Sequence, residues 1–146
     1  MPTHDITEIE RPSAHGGTGL LLGLTGALLA FLILNLAVFD DLRTDPSAGL
    51  LETFTKPQHL SSLVAVLIAG ALVAFKHRSA ARVAMSVAWI EIAAFAFFHL
   101  VPVEVGPTKP YWGDGMGDAL QWLGLVAIIG VSAAIVRVAR RPSPAW

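Results

Sequence analysis

Cysteine is absent from the chain. Its absence excludes disulfide exchange, quinone-linked thiol oxidation and thiolate metal sites. Charge is scarce as well. Charged side chains make up 14% of the 146 residues, against about 25% in an ordinary soluble domain. The formal net charge is −1, and no nucleic-acid partner is expected from it. A basic leader is also missing. The opening stretch "MPTHDITEIERPSAH" is acidic, and the apolar run behind it exceeds the ~7–15 residues of a signal-peptide core. The segment is therefore not expected to be a cleaved signal peptide, and residues 1–15 are expected to form a flexible cytoplasmic tail.

What is present is mostly apolar: 54% of the residues are hydrophobic. Residues 16–39, "GGTGLLLGLTGALLAFLILNLAVF", hold no charged side chain over 24 positions. A bilayer core needs about 20 apolar residues in a helix. Three further runs follow at 57–75, 83–103 and 119–136, and only Glu91 breaks them with a formal charge. The pattern predicts an all-α integral membrane protein, a four-transmembrane-helix bundle forming one domain over residues 16–141, with 142–146 as a second cytoplasmic tail. The setting this implies is the cytoplasmic membrane, as a multi-pass protein. Lipid is the expected surrounding, and a membrane-protein partner or a second copy of the chain can pack against the bundle.

Lys and Arg set the orientation. Lys76, Arg78 and Arg82 lie between the second and third spans, and Arg137, Arg140 and Arg141 follow the fourth. With Arg11 they place seven of the ten basic residues on one side. Arg43, Lys56 and Lys109 lie on the other side, among Asp40, Asp41, Asp45, Glu52, Glu104, Asp114 and Asp118. The positive-inside rule then predicts cytoplasmic N- and C-termini and two outer loops. The basic clusters would also suit anionic headgroups.

Local signals mark the helix ends. "TKPQ" (55–58) has the Thr-x-x-Gln spacing of a capping box with Pro in the first turn, so a helix is expected from near Lys56. "DALQ" (118–121) offers Asp118 as a cap with Gln121 reaching back. Ser79 is a candidate cap for the third span, and Pro102 marks its end. "DPSAGLLETF" (45–54) predicts a short interfacial helix in the first outer loop, with Leu50, Leu51 and Phe54 on its apolar face. Gly19, Gly23 and Ala27, and also Ala65–Ala69, Gly70–Ala74 and Ala84–Ala88, recur at the four-residue spacing that lets helices approach closely in lipid. Tyr111, Trp112 and Trp122 fall near the outer boundary and read as interfacial anchors. The glycine-rich "YWGDGMGD" (111–118) matches neither a dinucleotide fingerprint nor a calcium loop and reads as a turn, or as part of a lid stiffened by "GPTKPYW".

Glu91 is the residue least suited to its surroundings. It lies eight positions before His99, about 12 Å along a helix and close to mid-bilayer. No Lys or Arg lies at that depth in another span. Burial without a cation favours the neutral acid, so Glu91 is expected to be protonated or to gain and lose a proton. The alternative is a structural role, hydrogen-bonded to Ser86, Ser132 or a carbonyl. Nearer the outer boundary each span offers a hydrogen-bonding side chain at one depth: Asn35, His59, His99 and Gln121. Facing inward, they would form a polar layer above Glu91. Facing elsewhere, they are ordinary interfacial polar groups, and Gln121 is only a cap.

Glu91 and His99 are thus the candidate proton-transfer pair, and Asn35, His59 and Gln121 the candidate ligand-binding residues. His59 and His99 on separate helices are the candidate ligands for haem b, Cu or Zn, if a metal binds. A proton relay, a quinone headgroup site, and acid–base or redox catalysis on a lipid-soluble substrate use the same residues. Proton-coupled small-molecule export is a further class. The small multidrug resistance transporters are similar in having four short helices and an embedded glutamate. Theirs lies in the first helix, where this chain has no acid, and the Lys/Arg bias argues against their antiparallel pairing. In size and helix number the chain resembles the DoxX-like group of small bacterial four-helix membrane proteins, and this likeness of architecture implies no site residue. The function these features favour is a small accessory subunit that handles a ligand or a proton in an outward-opening His/Glu pocket.

Overall fold

The computed structural model describes residues 15–101, 111 and 117–141. The readings made for the two tails, Pro102, Glu104, Lys109, Trp112 and most of the 106–116 loop lie outside these residues. Four helices are long and apolar enough to cross a membrane. They are α1 (His15–Leu34), α4 (Pro57–Ala74), α5 (Ala80–Leu100) and α6 (Ala119–Ala139). Between α1 and α4 come a π-helical turn (Asn35–Phe39), α2 (Asp41–Thr44), a 3-10 turn (Pro46–Ala48) and α3 (Leu50–Thr55). No strand occurs among the described residues. α1 and α5 each pack against both α4 and α6, so the four long helices close into a ring.

Lipid is as apolar as leucine, so water does not drive these helices together; close packing does. The buried stripes accordingly carry small and branched side chains. Val66, Ala69 and Val73 on α4 meet Ala80, Ala84 and Ala88 on α5, with Leu28, Leu32, Ile128 and Ile135 completing the core. Several larger apolar groups, such as Leu67, Ile68, Trp89, Ile90 and Val126, point outward. The Ala84–Ala88 spacing thus lies in the core. The Gly19–Gly23–Ala27 stripe does not: a Cβ at Gly19 or Gly23 would meet nothing within 4 Å. The close approach to α6 is made by the π turn that follows α1, at Gly124. A Cβ there would lie 2.7 Å from Asn35 Oδ1 and 2.9 Å from Phe39 Cδ2.

The end signals divide. The Asp118–Gln121 capping box is formed in full. The expected Thr55–Gln58 box is not, because Thr55 ends α3 and its hydroxyl donates to Leu51 O at 2.8 Å. Pro57 nevertheless starts α4, in the first turn as expected. Ser79 occupies the N-cap position of α5 without bonding its backbone, since its hydroxyl sits 2.8 Å from His77 Nδ1. The one short helix expected over 45–54 is two pieces, broken at Gly49, whose φ of 67° is in the left-handed region glycine tolerates. The first span also has a feature its apolar run did not announce, the π turn that closes it.

Two glycine substitutions separate these packing roles. Gly124→Ala should destabilise the fold by about 1–3 kcal/mol through overpacking against Asn35 and Phe39. Gly23→Ala should be neutral or slightly stabilising, because the methyl enters open space and alanine favours the helix. Thermal unfolding in detergent measures both, and equal effects would contradict this assignment of the contact.

Candidate functional site

The π turn gives the site its shape. In an α-helix, positions five apart point in different directions. Here Asp40 N–H donates to Asn35 O at 2.9 Å, a five-residue closure that brings the two residues onto one face. Asn35, Leu36 and Asp40 are all buried as a result. Asp41, the next residue, is half-buried and turns toward α4.

Asp40 is 1% exposed. Its carboxylate accepts from Tyr111 Oη at 2.6 Å and from Gln121 Nε2 at 2.7 Å. Gln121 is bonded at both ends of its amide, since its Oε1 accepts from Asp118 N at 3.0 Å. Asp118 in turn caps α6, accepting from Leu120 N and Gln121 N, and pairs with Arg43 at 2.6 Å. One hydrogen-bonded chain therefore runs from the π turn through α6 and back to α2. Its neighbours keep Tyr111 in place. The phenol ring stacks on His99 at 4.3 Å and meets Trp122 edge-on at 5.9 Å. Its backbone N–H donates to His99 O at 3.0 Å, and its carbonyl accepts from Gly117 N.

Beside this network lies a cavity of about 310 Å³. Asp40, Asp41, Lys56, Gln58 and His59 give it a polar wall; Leu36, Ala94, Phe95 and Phe98 give it an apolar one. Asn35, Ser62 and His99 complete the lining. The volume is at the lower end of the ~300–1,000 Å³ typical of small-molecule pockets. His59 is fixed by Thr53 O, 2.7 Å from Nδ1. A carbonyl only accepts, so Nδ1 carries the hydrogen. Nε2 then faces Asp41 Oδ2 at 3.8 Å.

Glu91 lies on the stripe of α5 that also carries Ala94, Phe95, Phe98 and His99, so it follows directly behind the cavity wall. It is 1% exposed. The partners expected for it, Ser86 and Ser132, are not the ones it has. Ser86 is exposed, and the Ser132 hydroxyl is buried with no partner. Glu91 Oε2 is likewise buried with no hydrogen-bond partner.

The structure therefore brings Asn35, His59 and His99 to one cavity and leaves Gln121 outside its lining, bonded to Asp40. Glu91 also lies outside the lining, behind the α5 wall. No group of three or more His, Asp or Glu side chains among the described residues is arranged to hold a metal ion. Sequence reasoning missed Asp40, Asp41, Tyr111 and Ser62. The aspartates read as boundary charges and Tyr111 as an interfacial anchor, but Tyr111 is 2% exposed with its hydroxyl on Asp40. One available signal was the adjacency of Asp40 and Asp41. Neighbouring helical positions point about 100° apart, so two acids at a span's edge rarely both face water.

Compared with known proteins, the chain matches no family model, no curated protein and no solved structure.

Two groups outside the spans carry shifted acidities. Burial, then the bond to Asp40, pushes the Tyr111 phenol well above its ordinary value of 10.0. The backbone bond from Gln121, with Arg43 beside it, holds the Asp118 carboxyl below its ordinary range. The tyrosine shift sets a pH prediction. With the folded value raised, only the unfolded chain ionises just above pH 10.0, so stability present below that pH declines as pH rises beyond it. Tyr111→Phe should flatten that decline. It should also destabilise the fold near neutral pH by about 1.5–3 kcal/mol, because a buried carboxylate loses a donor. Unfolding followed across neutral and alkaline pH reads both effects, and a parallel decline in the variant would contradict them.

Proposed function

We propose that the protein is a small multi-pass protein of the cytoplasmic membrane that binds a ligand, and handles a proton with it, in the cavity beside Asp40. The observation that carries this reading is the pairing of a partly polar cavity with a buried acid behind its α5 wall. An intramembrane carboxyl is costly to bury as an ion and is by default a candidate ligand or proton site. The apolar wall of Leu36, Phe95 and Phe98 suits a lipid-soluble body, and the polar wall suits a hydrogen-bonding head. In this reading His59 and Asn35 orient the head, and His99 with Glu91 exchange the proton. Asp40 and Gln121 hold the wall. The site serves an accessory subunit better than a free-standing enzyme, because the cavity presents neither a nucleophile with its base nor a recognisable cofactor frame.

The orientation adopted here has both termini in the cytoplasm and the cavity end outside. It is supported by the basic residues at the opposite end, Lys76, Arg78, Arg82, Arg137, Arg140 and Arg141. It also suits α3, whose Leu50 and Leu51 are 63% and 78% exposed and would enter the headgroup region. Reporter fusions after Arg78 and at the C-terminus should read cytoplasmic, and one at Lys109 external. A reversed reading at any of the three would overturn the orientation.

The function itself is tested at Glu91. A hydrophobic carbodiimide, which modifies protonated carboxyls in lipid, should label Glu91 at pH 7, and the label should vanish in Glu91→Gln. A ligand that fills the cavity should protect the residue. Folding should survive Glu91→Gln, which keeps the shape of the neutral acid. No labelling of the folded protein from pH 6 to pH 8 would show an ionised or sealed carboxyl and sink the reading.

A further inference from the structure

The end of the bundle away from the cavity carries the opposite charge. Asp40, Asp41, Asp45, Glu52 and Asp118 belong to the cavity end, while Lys76, Arg78, Arg82, Arg137, Arg140 and Arg141 belong to the other. On α5, Arg82, Ser86 and Trp89 are spaced by four positions and then three, so they share one face of the helix. All three are exposed. Trp89 remains 48% exposed although it lies well inside the span, about 13 Å along the helix from Ala80. In a membrane-spanning helix that face is turned to lipid. α6 packs against α5 and brings Arg140 to the same place. The guanidinium carbon of Arg140 lies 5.8 Å from the centre of the Trp89 ring. Arginine near a helix end ordinarily extends its head into water. Arg140 instead lays it over an indole that faces lipid.

We propose that this shared face of α5 and α6 is a binding site for an anionic phospholipid of the adjoining leaflet, with the phosphate held by Arg82, Ser86 and Arg140 and an acyl chain lying along Trp89 and Ile90. Stacking on an aromatic ring uses the flat face of a guanidinium and leaves its five N–H donors in the plane, free to point elsewhere. Among the described residues neither Arg82 nor Arg140 meets a carboxylate, and the Ser86 hydroxyl has no hydrogen-bond partner. A phosphate group supplies what all three lack, because it accepts the guanidinium fork in a bidentate pair and a hydroxyl through a further oxygen. The sign of the headgroup follows from charge. Arg137 lies three positions before Arg140 on the same face of α6 and adds a further cation. A zwitterionic headgroup would bring its own ammonium into this field, and an anionic one would not. Ile90, 62% exposed and four positions beyond Ser86, continues the apolar track below the phosphate. The site is separate from the cavity, and it requires only that the four long helices cross a membrane.

The full-length protein in nanodiscs made mostly of phosphatidylcholine gives the test. A small fraction of the lipid carries brominated acyl chains, which quench a tryptophan they touch. The emission lost in Trp89→Phe isolates this site from the other tryptophans. Brominated phosphatidylglycerol should quench that emission with an apparent affinity about fivefold or more above brominated phosphatidylcholine, the preference expected from even one arginine facing an anionic headgroup. The preference should fall toward parity in Arg140→Gln and in Arg82→Gln. Both side chains are exposed, so the fold should tolerate either change. Lys76→Asn removes one charge from the same end without touching the Arg82–Trp89 face, and asparagine tolerates the φ of 50° at that position. It should leave most of the preference in place. Equal quenching by the two lipids in the unmodified protein would overturn the proposal. So would an equal loss of preference in Lys76→Asn and Arg140→Gln, since diffuse charge at the bundle end would then account for the lipid without a site.

Discussion

A carboxylate that is 1% exposed at the end of a helical bundle finds its hydrogen bonds chiefly within the protein, and Asp40 is such a group. Its two donors, Tyr111 and Gln121, come from segments 71 and 81 residues away in the chain. An unpaired charge in that position would cost several kcal/mol, so the bonds decide how the segments around it sit. Tyr111 carries the stacked His99 with it, and Gln121 carries the capped start of α6.

The rest of the bundle is organised by contrast. Away from the cavity, small and branched side chains interlock with few polar groups to satisfy, and close packing alone holds the helices. Toward the cavity, polar groups replace them and the packing opens into 310 Å³ of space. Glu91 stands where the two regimes meet.

The spans were legible because uncharged runs of bilayer length have few other uses, and the four long helices coincide with those runs to within a few residues. The Asp118–Gln121 cap was legible because a cap is a local arrangement of backbone and two side chains. Asn35, His59 and His99 could be placed at one depth by counting along helices, and all three line the cavity. Counting fails where the helix departs from 3.6 residues per turn. The π turn at Asn35–Phe39 changes which residues share a face, and so Asp40 read as a boundary charge while it is buried. Tyr111 was illegible for another reason. Its role depends on a partner brought in from a distant segment, Asp40. The glycine stripe misled because an Ala- and Gly-rich span offers the close-packing spacing on more than one face, and it is the π turn after α1 that meets α6 closely, at Gly124.

Gln121 serves two masters with a single amide: its oxygen closes the cap of α6, and its nitrogen grips Asp40. Neither bond forms in full until the last of the four spans is in place. During synthesis, the first three helices would enter the bilayer with Asp40 still short of a donor, a half-built state with every reason to wait for the fourth. The order of the segments along the chain thus becomes an assembly sequence, in which the step that finishes the bundle also supplies Asp40 with its Gln121 donor. A copy that fails to insert its final helix would then be marked by an exposed acid at its rim, the kind of flaw that membrane quality control is well placed to detect.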